Sequence, residues 1–129
     1  MPWRSDGRHG GFSEGRPWLP VDPRHLALAI TDQDADATSA LSVVRRLLEL
    51  RRTFSALRTG DFRLLPERPP LLAFERSDHG VALRCVFNLG DQPVESAVLD
   101  GWQPVFESGP ATTDGQIAAR SAIWATRPG

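Results

Sequence analysis

Residues 71–88 read Leu71-Leu72-Ala73-Phe74-Glu75-Arg76-Ser77-Asp78-His79-Gly80-Val81-Ala82-Leu83-Arg84-Cys85-Val86-Phe87-Asn88. Two apolar stretches flank the polar cluster Ser77-Asp78-His79-Gly80, which has the composition of a turn. Each stretch is short and rich in residues that favour strands. Val81 to Asn88 is the strongest strand of the chain, closed by Leu89-Gly90-Asp91-Gln92-Pro93. Cys85 lies in the middle of it. A thiol there reads as a buried structural group rather than a nucleophile.

The pattern continues on both sides. Asp61-Phe62-Arg63-Leu64-Leu65 reads as a strand and leads into a Pro-rich turn at Pro66, Pro69 and Pro70. Weaker strands are expected at Val94 to Leu99, Trp102 to Phe106 and Ser121 to Thr126. Short strands with turns at intervals of about ten residues point to an antiparallel sheet folded into a small sandwich.

Before the strands lies one helix, expected over about Ser39 to Thr53 with Thr38 as its N-cap. Leu41, Val44, Leu47, Leu48 and Leu50 recur near helical spacing. Arg45, Arg46, Glu49 and Arg52 fall mostly on the other side. A helix this short is marginal alone in water, so its stripe needs a partner surface. Residues 1 to about 37 read as irregular. They are dense in Gly, Pro, Asp and Arg, with Trp3, Phe12 and Trp18 among them. Leu26-Ala27-Leu28-Ala29-Ile30 reads as an extended segment or a weak helical turn. A loop of this length is unusual in a compact domain unless it is functional or packs on something else.

Composition bounds the chemistry. The chain has 129 residues and a net charge of −1. That balance argues against nucleic acid or a membrane surface as partner, since both call for a basic excess. All fifteen basic residues are Arg, which we read as a compositional bias. The single cysteine excludes an intrachain disulfide and a cysteine-based metal cluster. No apolar run reaches the length of a membrane span. The start, Met1 to Asp6, lacks an apolar signal stretch; a cytoplasmic location is the expectation. His9, His25 and His79 lack partners at metal-ligand spacing and read as surface residues. Asp32, Asp34 and Asp36 alternate before the helix, where negative charge is mildly favourable. A calcium loop would need further spaced oxygens and a Gly. No serine elbow and no phosphate loop is present. No metal, no cofactor and no catalytic residue is assigned within the chain.

The order of motifs carries more. Met1-Pro2-Trp3, Gly10-Gly11-Phe12-Ser13 and Pro17-Trp18-Leu19-Pro20-Val21 resemble a segment of glycoside hydrolase family 13, the α-amylase family. The similarity is to its α-glucosidase and oligo-1,6-glucosidase branch. Ser39 to Arg52 resembles the final barrel helix of those enzymes. Ala56-Leu57-Arg58-Thr59-Gly60-Asp61-Phe62 resembles its exit into the C-terminal domain. Leu71 to Arg76 and Val86 to Asp91 resemble the first strands of that domain. The resemblance covers nearly the whole chain and is weakest after Gly101.

The resemblance implies an α+β fragment. Residues 1–58 would be the loop after strand 8 and the final helix of a (β/α)₈ barrel. Residues 59–129 would be a C-terminal antiparallel β-sandwich. It implies a parent enzyme that is a retaining α-glucosidase acting on short oligosaccharides. Retention needs two carboxyl groups about 5–5.5 Å apart, and the family's nucleophile Asp, acid/base Glu and third Asp would all precede Met1. A barrel takes about 250 residues, so this chain would hold only its last element and would be inactive alone, docked on the rest of the barrel. Barrel active sites lie among the loops after the strands, which makes Trp3 the candidate substrate-binding residue. Trp3 and Trp18 also suit a purely structural role, pinning the loop. The alternative reading is a non-catalytic carbohydrate-binding or adaptor module that uses Trp102 or Trp124. The fragment reading expects a sizeable exposed apolar patch on the helix and the N-terminal segment, of a size seldom seen in monomers. Full burial of Leu41, Val44 and Leu48 would count against it.

Overall fold

A computed structural model describes residues 1–109 and 115–127. The chain divides into two compact units, Met1–Arg46 and Leu47–Gly129.

In the N-terminal unit the backbone is tied by a few hydrogen bonds rather than by long elements. The expectation of an irregular segment is corrected in part. Arg8–Gly11 and Pro23–Leu28 form 3-10 turns, and Ile30–Ala35 forms a short helix, α1. The second turn starts with Pro23 behind Asp22, whose carboxylate accepts from the Arg24 amide. Helix α2 then runs Ala40–Thr53. Its cap differs from the expectation. Ser39, not Thr38, accepts from the Ser42 amide at 3.2 Å, while the Thr38 hydroxyl donates to Asp36 at 2.7 Å. Asp36 therefore holds the residues before the helix, and its pKa lies below the ordinary carboxylate value because Thr38 donates to it from side chain and backbone. Asp34 pairs with Arg45.

The C-terminal unit is built on the two strands read first from the sequence. Strands β1 (Asp61–Leu64), β2 (Leu71–Asp78), β3 (Val81–Asn88), β4 (Val94–Glu95), β5 (Gln103–Ser108), β6 (Gln116–Ile117) and β7 (Ser121–Thr126) follow in chain order. Five of them form one antiparallel sheet in the order β1-β2-β3-β7-β5, and β4 pairs with β6 in a second, two-stranded sheet. Strand β3 has the expected bounds, whereas β2 runs two residues further than the turn cluster suggested. Asp78 pairs with Val81, and only His79 and Gly80 make the turn, at φ of 45° and 84°. Positive φ at both central residues matches the twist of a hairpin. The expected strand Val94 to Leu99 is corrected: it ends at Glu95, and Ala97–Leu99 turn into a 3-10 segment capped by Ser96.

Both faces of the large sheet are covered. On one, Leu71, Ala73, Val86 and Ile123 pack with Leu65, Val98 and Ile117, so the β4–β6 layer closes a small sandwich. On the other, Leu83 and Cys85 pack with Leu50 from the end of α2 and with Ala56 and Leu57 from a short helix α3, Ala56–Thr59. Burying a side chain the size of Leu83, which is fully enclosed, contributes about 2 kcal/mol. The crossing from α2 to the sheet is fixed by polar contacts. Arg51 donates to the Leu57 carbonyl at 2.7 Å, and Arg58 donates to the Arg51 carbonyl at 2.8 Å. These bonds satisfy carbonyls that the end of a helix leaves open. Gly60 follows, and a Cβ there would meet the Ser77 carbonyl at 2.6 Å and the Ala56 carbonyl at 2.7 Å. No side chain fits at that crossing.

Candidate functional site

The sequence placed its one binding candidate, Trp3, in the N-terminal loop. The backbone around it is held on two sides. The Trp3 amide donates to the Gly10 carbonyl at 2.8 Å, and its carbonyl accepts from Thr31 at 3.2 Å. Pro2 is buried beside it, and its carbonyl accepts from the Ile30 amide at 2.9 Å. Gly10 is needed here: at φ 65° its Cβ would lie 2.9 Å from the Pro2 Cβ. A rigid strap thus presents the Trp3 side chain, which is 55% exposed.

Arg4 and Asp6 form an exposed ion pair, and Arg4 also lines an open recess with Phe12 and Glu14. The Arg4 Nε donates to Asp6 at 3.1 Å and a second guanidinium nitrogen donates at 3.3 Å. This hydrogen-bonded pairing lowers the Asp6 pKa and raises that of Arg4. The Ser5 hydroxyl donates to Asp32 at 2.9 Å. Nearby, a cavity of about 540 Å³ is lined by His9, Arg16, Trp18 and Leu26 among others. Trp3 is not part of its wall. Trp18 stands on its rim almost wholly in solvent, at 95% exposure. The pocket is an open recess with one guanidinium and one indole, a lining suited to hydroxyl-rich or planar groups and without an assigned nucleophile.

The remaining chemistry-bearing residues are accounted for by structure. His9 and His79 occupy left-handed turn positions, and His79 lies 3.5 Å from Asp78. Among the described residues no group of three or more His, Cys, Asp or Glu side chains converges as metal ligands do. Cys85 is enclosed, and burial pushes its thiol up to about 12. No helix of the described residues is long and apolar enough to cross a membrane.

Two features escaped the reading of the sequence. Glu75 is buried at 8% exposure and accepts from Arg63 at 2.9 Å and from Arg84 at 3.1 Å. Burial pushes its carboxyl up, but the two guanidiniums pull harder, and its pKa ends below the usual carboxylate value. Arg84 also donates to the Val98 carbonyl and lies 4.2 Å from the Trp102 ring centroid. Arg127 approaches the same ring at 5.3 Å. The available signal was parity: Glu75 shares its strand face with Leu71 and Ala73, so it had to point into the core. Asn88 is the second. It is 1% exposed and donates to the Gln92 and Ile117 carbonyls at 2.9 and 3.0 Å, while accepting from Gly90 at 2.9 Å.

The tryptophans of the strand zone are both engaged. Trp102 lies under the two guanidiniums, and Trp124 packs on Phe106 with ring centroids 5.7 Å apart. By contrast, apolar residues of α2 and the loop stand in solvent. Val44 is 52% and Leu48 49% exposed, and Leu41 is half-buried. Val44 and Leu48 are thus not fully buried, and Phe12, Trp18 and Leu19 in the N-terminal unit are exposed as well.

The described elements define an α+β chain in which an antiparallel sheet follows an amphipathic helix. The chain belongs to the family described as "Domain of unknown function (DUF3459)", matched over residues 57–124. It is 37% identical over 83 residues to a probable alpha-glucosidase of Rhizobium meliloti (strain 1021), covering 64% of this chain and 15% of that protein. It is 33% identical over 93 residues to probable oligo-1,6-glucosidase 2 of Bacillus subtilis (strain 168), covering 71% and 16%. Among solved structures, an alpha-glucosyl transfer enzyme superposes with a TM-score of 0.78 at 31% identity, over 99% of this chain and 25% of its own. Trehalulose synthase from Pseudomonas mesoacidophila MX-45 superposes with a TM-score of 0.79 at 25% identity, over 96% and 24%. The resemblance to the α-glucosidase and oligo-1,6-glucosidase branch of glycoside hydrolase family 13 thus holds. The chain spans about a sixth of the curated relatives it matches.

Proposed function

We propose that this chain is the C-terminal part of a retaining α-glucosidase that hydrolyses terminal α-linked glucose from short oligosaccharides. In this reading residues 1–58 are the loop after the eighth barrel strand and the last barrel helix, and residues 59–129 are the C-terminal β domain. The observation that carries it is the superposition on an alpha-glucosyl transfer enzyme over 99% of this chain but 25% of that one. The catalytic carboxylates would belong to the remainder. The role of this part is to close the barrel and cap it.

Two further observations support docking on such a remainder. Val44 and Leu48, one helical turn apart, are half in solvent on α2. Trp18 and Leu19 project from the N-terminal loop. Each group is apolar surface that a covering partner would remove from water. Trp3, presented by a hydrogen-bonded strap, is the residue proposed to stack on sugar at the rim of the barrel's active site. The carbohydrate-module alternative is disfavoured, because Trp102 and Trp124 are both occupied by neighbours within the domain.

The test is turnover of nitrophenyl α-glucoside by the purified chain and by the full gene product of its locus. Turnover is expected from the second and absent from the first. Activity of the isolated chain, or an upstream reading frame without a barrel, would overturn the proposal. In the active full-length protein, Trp3→Ala is expected to raise KM at least tenfold; an unchanged KM would remove Trp3 from the site.

A further inference from the structure

Strand β1 is an edge of the large sheet, and all four of its residues, Asp61 to Leu64, are exposed. Among the described residues its outer side pairs with no strand. Sheet edges of this kind are usually blunted by charge, proline or a covering element, because their free backbone groups recruit other strands. Here the edge carries Phe62 at 60% and Leu64 at 62% exposure on one face.

The register fixes which backbone groups are free. Leu65 donates to Ala73 at 2.9 Å, so the amide and carbonyl of Leu65, and by alternation those of Arg63 and Asp61, point toward β2. The amide and carbonyl of Phe62 and Leu64 point outward. A second β1 brought up antiparallel about a two-fold axis through Phe62 would place Phe62 opposite Phe62. Their outward groups then exchange two hydrogen bonds. The same register sets Asp61 of each copy opposite Arg63 of the other. Among the described residues Asp61 has no ion pair within the chain, while Arg63 is 65% exposed and already anchored at Glu75. Shifting the axis to Arg63 would oppose two guanidiniums, which is unfavourable. A two-fold axis through Leu64 would set Arg63 opposite Leu65 and form no Asp61–Arg63 pair, so the charge pattern favours the Phe62-centred register; the contact is isologous, as two-fold pairing requires.

We propose that β1 is a self-association edge whose partner is a second copy of this chain, joined through Phe62–Phe62 backbone pairing and two Asp61–Arg63 ion pairs. The interface is short, so the dimer is weak, and its charge pairs make it sensitive to salt. This inference is independent of the enzymatic reading.

Sedimentation velocity of the whole chain from about 10 µM to about 1 mM tests it, with far-UV circular dichroism as a control for folding. The wild type is expected to shift from monomer to dimer over that range. Asp61→Arg, which opposes like charges, and Phe62→Lys, which opposes two ammonium groups, are each expected to weaken dimerisation at least tenfold. Both positions are exposed, and although Phe62→Lys gives up the Phe62–Phe74 ring contact at 5.2 Å, Asp61→Arg removes no ring contact, so the fold of that variant is expected to persist. A dissociation constant raised by 0.5 M NaCl in the wild type and lowered by it in Asp61→Arg, where salt screens the new repulsion, supports the ion pairs. A wild type that stays monomeric to 1 mM, or a dimer unaffected by both substitutions, would overturn the proposal.

Discussion

Replacing Glu75 by Gln removes one charge from a network that holds the two layers of the β domain together. Glu75 on β2 accepts from Arg63 on β1 and from Arg84 on β3. Arg63 is largely exposed, and water replaces its lost contact at little cost. Arg84 decides the size of the effect, since its side chain is only 19% exposed. It keeps the Val98 carbonyl and the Trp102 ring, so it is not left wholly without compensation. Removing one partner of a fully buried ion pair costs about 3–5 kcal/mol, whereas a hydrogen bond to a charged group contributes about 1.5–3 kcal/mol. The retained contacts put Glu75→Gln between these, at about 2–3 kcal/mol. For a domain of this size each kcal/mol moves Tm by about 4–8 °C. A fall of roughly 10–20 °C is expected by circular dichroism at pH 7.

The pH dependence follows from the direction of the shift. The folded pKa of Glu75 is lowered, so its contribution is present above the unfolded value and is lost as pH falls through the folded one. The gap between wild type and Glu75→Gln is therefore expected to be constant from pH 8 to about 5 and to close progressively below pH 4. Arg84 lies 4.2 Å from the Trp102 ring, so Trp fluorescence gives a second readout. A gap under about 0.5 kcal/mol at pH 7, or one that survives unchanged to pH 2, would refute the reasoning.

Two other substitutions probe the same unit. Asn88→Ala strands the buried Ile117 carbonyl and leaves the part-buried Gly90 amide and Gln92 carbonyl without their partner, and a loss of about 1–3 kcal/mol in urea unfolding is expected; a loss below about 0.5 kcal/mol would show that water reaches the Ile117 carbonyl. The Cys85 thiol, enclosed and pushed up to about 12, is expected to resist a disulfide-exchange reagent at pH 8 until urea unfolds the domain. Rapid labelling of the native protein would contradict its burial.

Particular elements explain what could be read in advance. Strands β2, β3 and β7 are long or strongly apolar, and β7 falls at the expected Ser121 to Thr126. The α2 stripe was legible because helical periodicity needs no partner to be seen. The short pieces were not. Helix α3 has four residues and β6 has two, below the length at which periodicity carries information. They exist because tertiary contacts hold them: Arg51 and Arg58 bracket α3, and Ile117 pairs with Val94. The N-cap moved from Thr38 to Ser39 because Asp36 engages the Thr38 hydroxyl. Trp3 was singled out by motif order alone, and its exposure on a tied strap is a property of backbone bonds that no spacing encodes.

What the sequence determined by itself was local: which residues alternate, where the chain turns, and which ordered motifs tie it to its relatives. These depend on neighbours in the chain and survive without a partner. The tertiary structure decided which polar groups could be buried and which apolar ones were left in water. Glu75 is tolerable in the core only because Arg63 and Arg84, far apart in sequence, arrive on either side of it. Phe62 meets only the Phe74 ring, at 5.2 Å, among the aromatic side chains and keeps 60% of its surface exposed, and Val44 keeps 52%; burial is a property of what comes near rather than of the residue itself.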